Sequence, residues 1–304
     1  MNARDGIRPP AGLLLIGHGT RDEVGTRQFL DLAAAVARQV NGRVGQASPR
    51  AQTHAELAPR PRGSAAAAAL THPTVVRPSF LELQQPAIED AIKDLAEVGV
   101  EHVVAVPLLL FAAGHAKRDI PERLAAAAEQ YGITTTQTAA FGCEPAILEL
   151  SRQRMREAVT GRLHVPAEET CLLLVGRGSR DESATAQMQE FAQLRQQAEG
   201  GIPTEIAFLA MARPSLDEQL PRIAVSGFRR VIVQPHLLFQ GELASSLARQ
   251  VQSVAQNSRS EWLLTPLLAD LAKEVGIGTK ILADVICERY RAATIRVVAP
   301  AGED

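Results

Sequence analysis

Three side chains in the first half of this chain, His18, Glu82 and His115, have the types and settings to act together on a metal ion or a proton. Each stands at or just beyond the end of a short strand-like run: Leu13–Ile16 before His18, the segment reaching Phe80 before Glu82, and Val103–Phe111 before His115. Two neutral imidazoles and a carboxylate form a borderline nitrogen–oxygen donor set suited to first-row divalent ions such as Co2+, Fe2+, Ni2+ or Zn2+. An imidazole can also accept a proton near neutral pH.

What singles these residues out is a comparison internal to the chain. Gly17-His18-Gly19-Thr20-Arg21-Asp22-Glu23 returns as Gly176-Arg177-Gly178-Ser179-Arg180-Asp181-Glu182, with five of seven positions identical. The segment Phe80–Pro86 answers Phe208–Pro214, and Val103–Phe111 answers Val231–Phe239. In this alignment His18 becomes Arg177, Glu82 becomes Ala210 and His115 becomes Glu242. A copy that keeps the scaffold motif yet loses all three side chains marks them as a working set. Arg177 puts a permanent cation where the first copy has an imidazole.

The elements that must hold these residues follow from periodicity. Helical spacing predicts helices over Phe29–Val40, Ala87–Val98, Ile120–Gln130 and Ala146–Val159, then Ala184–Glu199, Leu216–Val225, Ala244–Ala255 and Lys280–Tyr290. Short apolar strands alternate with them, including Thr134–Ala140 and Trp262–Thr265. Alternation of this kind implies parallel sheets covered on both faces. The expected fold is α/β: two tandem flavodoxin-like domains, each a mostly parallel sheet flanked by helices. In the flavodoxin-like strand order, ligands bind beyond the carboxyl ends of the strands, where His18, Glu82 and His115 converge. Thr20 with Glu23, and Ser179 with Glu182, fit a capping box in which hydroxyl and carboxylate satisfy amides at a helix start.

The domains are expected at 11–160 and 169–292. His18 and Glu82 are 64 positions apart, whereas Arg177 and Ala210 are 33 apart. The first half therefore carries an insert around 45–75, rich in Ala, Pro, Arg and Ser, whose composition reads as a flexible loop. His54 and His72 within it make weak metal candidates. The chain of 304 residues, 46% of them hydrophobic, is long enough for two cored domains. A net charge of −2 argues against a nucleic-acid or membrane-surface partner. No apolar run approaches the roughly 20 residues of a membrane span, and the polar start of the chain argues against a secretory signal. A cytoplasmic protein is expected. Cys143, Cys171 and Cys287 are isolated and odd in number, so they read as core residues rather than disulfides or zinc ligands. His102, His164 and His236 read as structural or exposed.

At these residues the chain resembles the sirohydrochlorin chelatase family, the cobalt- and iron-inserting class II chelatases of cobalamin and sirohaem synthesis, in the long two-domain form. The matching pieces are Leu13–Asp22, Phe80–Leu83 with Pro86, and Val103–Pro121. The resemblance implies that His18 and His115 bind the metal and assist catalysis, with Glu82 in the same cleft. Thr20 stands where serine is commoner in the family. No catalytic role carries over to Arg177, Ala210 or Glu242.

The activity so implied is ATP-independent insertion of a divalent metal into sirohydrochlorin, Co2+ first and Fe2+ next, with the metal as substrate and no organic cofactor. No phosphate-cradling GxxxxGK[ST] loop is present, in keeping with this. Because sirohydrochlorin carries eight carboxylates, Lys117 and Arg118 are expected to bind substrate carboxylates. The second half is expected to act as a built-in partner, making the protein a monomer with an internal pseudo-dimer. Two rival classes are a metal-binding or metallochaperone module without catalysis, and a histidine phosphatase. The latter normally needs Arg before its histidine, where Gly17 stands here.

Overall fold

A computed structural model describes residues 10–42, 73–269 and 277–298. The stretch from Leu13 to Ile16, apolar at every position, suits a strand buried on both faces. It forms β1 (Gly12–Gly17), in which all six residues are buried. Beside it lie β2 (Val75–Phe80), β3 (His102–Pro107) and β4 (Thr134–Gln137), in the order β2-β1-β3-β4 and parallel throughout. The second sheet repeats this pattern with β5 (Thr170–Gly176), β6 (Thr204–Phe208), β7 (Arg230–His236) and β8 (Glu261–Leu264) in the order β6-β5-β7-β8. The helices are α1 (Glu23–Gly42), α2 (Ile88–Glu97), α3 (Ile120–Tyr131) and α4 (Pro145–Val159), then α5 (Glu182–Ala198), α6 (Leu216–Ala224), α7 (Glu242–Gln256) and α8 (Ile277–Val298). A single π-helical turn, His115–Asp119, leads into α3. The expected pair of parallel α/β units is present, each with four strands. Most of the insert expected over 45–75, with His54 and His72, lies outside the described residues.

Alternation along each central strand sorts its side chains between two cores. Leu14 and Ile16 of β1 pack outward with Ile88, Ile92 and Leu95 of α2 and with Ile120 and Leu124 of α3. Cys171, Leu173 and Val175 of β5 pack outward with α6 and α7. Leu13 and Leu15, and likewise Leu172 and Leu174, face inward and belong to one continuous cluster shared by both sheets.

The helices that fill this shared layer have changed places. α4, which ends the first repeat, lies on the second sheet: the Ser151 carbonyl accepts from Gln234 Nε2 of β7 at 2.8 Å, and the Ser151 hydroxyl accepts from Arg195 Nε of α5 at 3.0 Å. α8, which ends the second repeat, lies on the first lobe. Its Tyr290 hydroxyl is 3.2 Å from Thr74 Oγ1, and its Arg289 guanidinium donates to the Ala140 carbonyl at 2.9 Å. Asp284 of α8 also accepts from Gln39 of α1. The repeat in sequence and the lobe in space are thus offset by one helix.

The helix starts after β1 and β5 differ from the capping-box expectation. Asp22, not Thr20, caps α1, its Oδ1 accepting from the Gly25 amide at 3.0 Å. Asp181 caps α5 in the same way, accepting from the Ser183 amide at 3.0 Å. The hydroxyls of Thr20 and Ser179 instead accept from the amides of Asp22 and Asp181, both at 3.1 Å. Each helix begins at the glutamate, so the aspartate before it occupies the cap and the hydroxyl closes the tight turn leading in.

Candidate metal centre

β1 and β2 are adjacent and in register from Gly12 opposite Val75 to Gly17 opposite Phe80, so the loops that follow them leave the sheet side by side. Those loops stay zipped together: the Leu81 amide donates to the Gly17 carbonyl at 2.9 Å and the Glu82 amide to the His18 carbonyl at 3.1 Å. Gly19 makes this approach possible. It has φ 96°, and a Cβ on it would sit 1.8 Å from the Glu82 carbonyl oxygen. Only glycine tolerates both conditions. The second lobe repeats the arrangement, with the Ala210 amide donating to the Arg177 carbonyl at 2.9 Å beside Gly178 at φ 89°. The internal alignment of His18 with Arg177 and Glu82 with Ala210 is therefore a backbone equivalence.

The two side chains brought together by these loops touch. His18 Nδ1 lies 3.2 Å from Glu82 Oε1, with the imidazole 23% and the carboxylate 49% exposed. From across the cleft, Arg177 Nη1 lies 2.8 Å from His18 Nε2. A guanidinium only donates, so Nε2 accepts, the ring proton resides on Nδ1, and Nδ1–H donates to Glu82. A carboxylate on one imidazole nitrogen, with the lone pair of the other directed into a cleft, is the usual support of a metal-binding histidine.

His115 opens the π-helical turn after β3. Its side chain lies outside the described residues, but Ala113 and Gly114 just before it, and Asp119 at the end of the turn, line the same cavity as His18 and Glu82. Among the described residues no group of three His, Cys, Asp or Glu side chains is assembled; His18 and Glu82 stand as a pair. The cysteines contribute nothing. Cys171 and Cys287 are buried, and burial pushes the thiols of Cys143 and Cys171 up to about 11 and about 12, so both stay protonated at neutral pH.

The cavity holds about 810 Å³ and lies between the lobes, within the range of small-molecule and cofactor sites. Its walls are mainly apolar, with Phe29, Leu108 and Phe111 from one lobe facing Met188, Phe208 and Phe239 from the other. Leu83 and Met211 occupy equivalent positions in the loops after β2 and β6. Both line the cavity, both are largely exposed, and both have left-handed backbone, φ 65° and 60°. Large apolar side chains rarely adopt that conformation, and strain of this kind gathers at ligand sites.

Lys117 and Arg118 are directed away from the cavity lining. Lys117 Nζ donates across the cleft to Asp181 Oδ2 and to the Ser183 hydroxyl, each at 2.7 Å. That ammonium, with the Ser183 hydroxyl, holds the Asp181 carboxyl down at about 2. Arg118 is exposed, 3.8 Å from Asp119 Oδ1. Neither lines the cavity, whose described cationic side chains are Arg21, Arg177 and Arg180. Arg21 and Arg180 form one of the five identities in the repeated motif, and helix capping does not explain their retention. His236 also lines the cavity; Phe111 stacks on its ring and Phe191 packs at 4.4 Å. Burial, helped by the charge of Arg195, pushes it down to about 3, so it is neutral at physiological pH.

The chain matches the model of the CbiX family over residues 60–158 and 171–293. It is 32% identical over 181 residues to the sirohydrochlorin ferrochelatase of Priestia megaterium, covering 59% of this chain and 66% of that protein. It is 28% identical over 179 residues to the sirohydrochlorin cobaltochelatase of the same organism, covering 59% and 58%. To the sirohydrochlorin ferrochelatase of Bacillus subtilis strain 168 it is 30% identical over 186 residues, covering 61% and 69%. The alignments thus span less than two thirds of the length of the two Priestia relatives.

Among solved structures, SirB from Bacillus subtilis with Fe3+ superimposes with a TM-score of 0.69 at 24% identity, covering 95% of this chain and 97% of that one. SirB from Bacillus subtilis subspecies spizizenii in complex with cobalt does so at 0.66 and 23%, covering 94% and 96%. With the family model spanning most of both repeats, this chain belongs to the CbiX family of sirohydrochlorin chelatases.

Proposed function

We propose that the protein inserts a divalent metal into sirohydrochlorin without ATP, with Co2+ the first candidate and Fe2+ the second. The observation that carries this reading is the His18–Glu82 pair at the edge of an apolar cavity between two lobes, with cationic side chains around it. A flat tetrapyrrole suits the apolar walls, with Leu83 and Met211 flanking its faces, and its carboxylates suit Arg21, Arg177 and Arg180. His18 and His115 hold the incoming ion on one face of the macrocycle, leaving coordination positions open for pyrrole nitrogens. Insertion forms the metal–nitrogen bonds and releases two pyrrole protons. Glu82, hydrogen-bonded to His18, keeps the ring in the tautomer that offers Nε2 and accepts a proton as the metal moves inward. The metal is a substrate, and no organic cofactor enters this chemistry. The protein works as a cytoplasmic monomer whose second lobe supplies what a second subunit otherwise would.

Purified protein should accelerate metallation of sirohydrochlorin by Co2+ or Fe2+, followed by the change in its visible absorption. His18→Ala and His115→Ala should each lower the rate by about 10²-fold or more with an unchanged circular dichroism spectrum. Full activity in either variant removes that residue from the site.

A further inference from the structure

Arg177 stands at the position equivalent to His18 and makes a hydrogen bond to it, 2.8 Å from its Nε2. That nitrogen is the one the Glu82 contact leaves for a metal. A lone pair engaged by a guanidinium N–H is not available to an ion, so the bond and metal ligation are mutually exclusive at Nε2. Arg cannot escape the conflict by losing its proton. It adds electrostatic repulsion as well, because its fixed charge lies where a divalent cation must sit. The second lobe has therefore done more than lose its own site. Its repeat-equivalent residue reaches across the cleft and closes the first.

We propose that Arg177 is a carboxylate-operated gate: it blocks His18 in the empty protein and is drawn away by a carboxylate of the tetrapyrrole, so that the macrocycle binds before the metal. This deepens the chelatase reading and rests on it. The exchange is favourable on chemical grounds. A guanidinium fork matches a carboxylate with two charge-assisted hydrogen bonds, whereas a neutral imidazole offers it a single acceptor. The side chain is exposed and lines the cavity, so it has a short path to an entering carboxylate. Because binding free energies are linked, a substrate that removes Arg177 from Nε2 raises metal affinity by the same factor that metal raises substrate affinity. Such an order keeps free metal ions out of the site until there is a ring to receive them.

The test uses calorimetric titration of the full-length protein with Co2+ alone, together with the visible d–d absorption of bound Co2+. Arg177→Ala and Arg177→Gln should bind Co2+ about tenfold more tightly than the unmodified protein, within the usual span of coupled sites. Sirohydrochlorin binding without metal, followed by its fluorescence, should weaken in the same variants. Adding His18→Ala to Arg177→Ala should abolish the gain in Co2+ affinity. Equal or weaker Co2+ binding by both Arg177 variants overturns the gate, as does a gain that survives loss of His18. If the unmodified protein fails to metallate sirohydrochlorin while the Arg177 variants still gain Co2+ affinity, the proposed activity falls and the metal-excluding role of Arg177 stands.

Discussion

His18 is constrained on both ring nitrogens before any ligand arrives, by Glu82 within its own lobe and by Arg177 from the other. A lone imidazole in a strand-to-helix turn would sample several rotamers and both tautomers, and would pay to order itself when a ligand binds. Here the cost is met during folding, and the ring is held with its proton on Nδ1 and its lone pair on Nε2. Leu83 and Met211 give the cavity its exposed, uncharged surface. Their left-handed backbone holds two large apolar side chains out into the cavity mouth, where nothing in the described core covers them. Leu83→Ala and Met211→Ala should raise the KM for sirohydrochlorin several-fold by removing apolar contact area, at roughly 25 cal/mol per Å², while Co2+ affinity measured without tetrapyrrole stays unchanged. A shift in Co2+ affinity would instead tie these loops to the metal.

At the scale of elements, the loop after each first strand decides where function sits. Gly19 and Gly178 let it touch the loop after the neighbouring strand, and the aspartate cap then starts a helix whose first turn borders the cleft. The spacing of Thr20-Arg21-Asp22-Glu23 suits a hydroxyl-based capping box; only the observed helix start at Glu23 hands the cap to Asp22. The two readings differ in measured stability. Asp22→Ala should cost about 1 kcal/mol in urea unfolding, the typical worth of an N-cap, and Thr20→Val a smaller amount. The reverse order would restore the hydroxyl as the cap.

For the whole molecule, the exchanged helices join two sequence repeats around one shared core. α4 covers the second sheet and α8 the first, so neither half retains its full core when separated. The ion pair of Lys117 with Asp181 and the hydrogen bond from the Gln240 amide to Gln28 Oε1 at 2.8 Å tie the same lobes together at the cleft. Unfolding in urea should therefore be a single transition. The fluorescence of Trp262, the chain's sole tryptophan and part of β8, should report the same midpoint as far-UV circular dichroism of the entire chain. Two separated midpoints would mean that the lobes fold independently despite the exchange. No helix among the described residues is long and apolar enough to cross a membrane.

By itself the sequence determined the duplication, the alternation of strands and helices, and which copy keeps His18, Glu82 and His115. These are properties of residue type and short-range spacing, and apolar periodicity records them directly in the linear chain. It also singled out Lys117 and Arg118 from their nearness to His115; the structure pairs Lys117 with Asp181 and leaves both outside the cavity lining. Only the tertiary structure decided that partner, the passage of α4 and α8 onto each other's lobes, and the bond between Arg177 and His18. Those contacts join residues from different repeats, 159 positions apart for His18 and Arg177. They depend on how two finished sheets dock around a shared layer of helices, a relation that no window of neighbouring residues encodes.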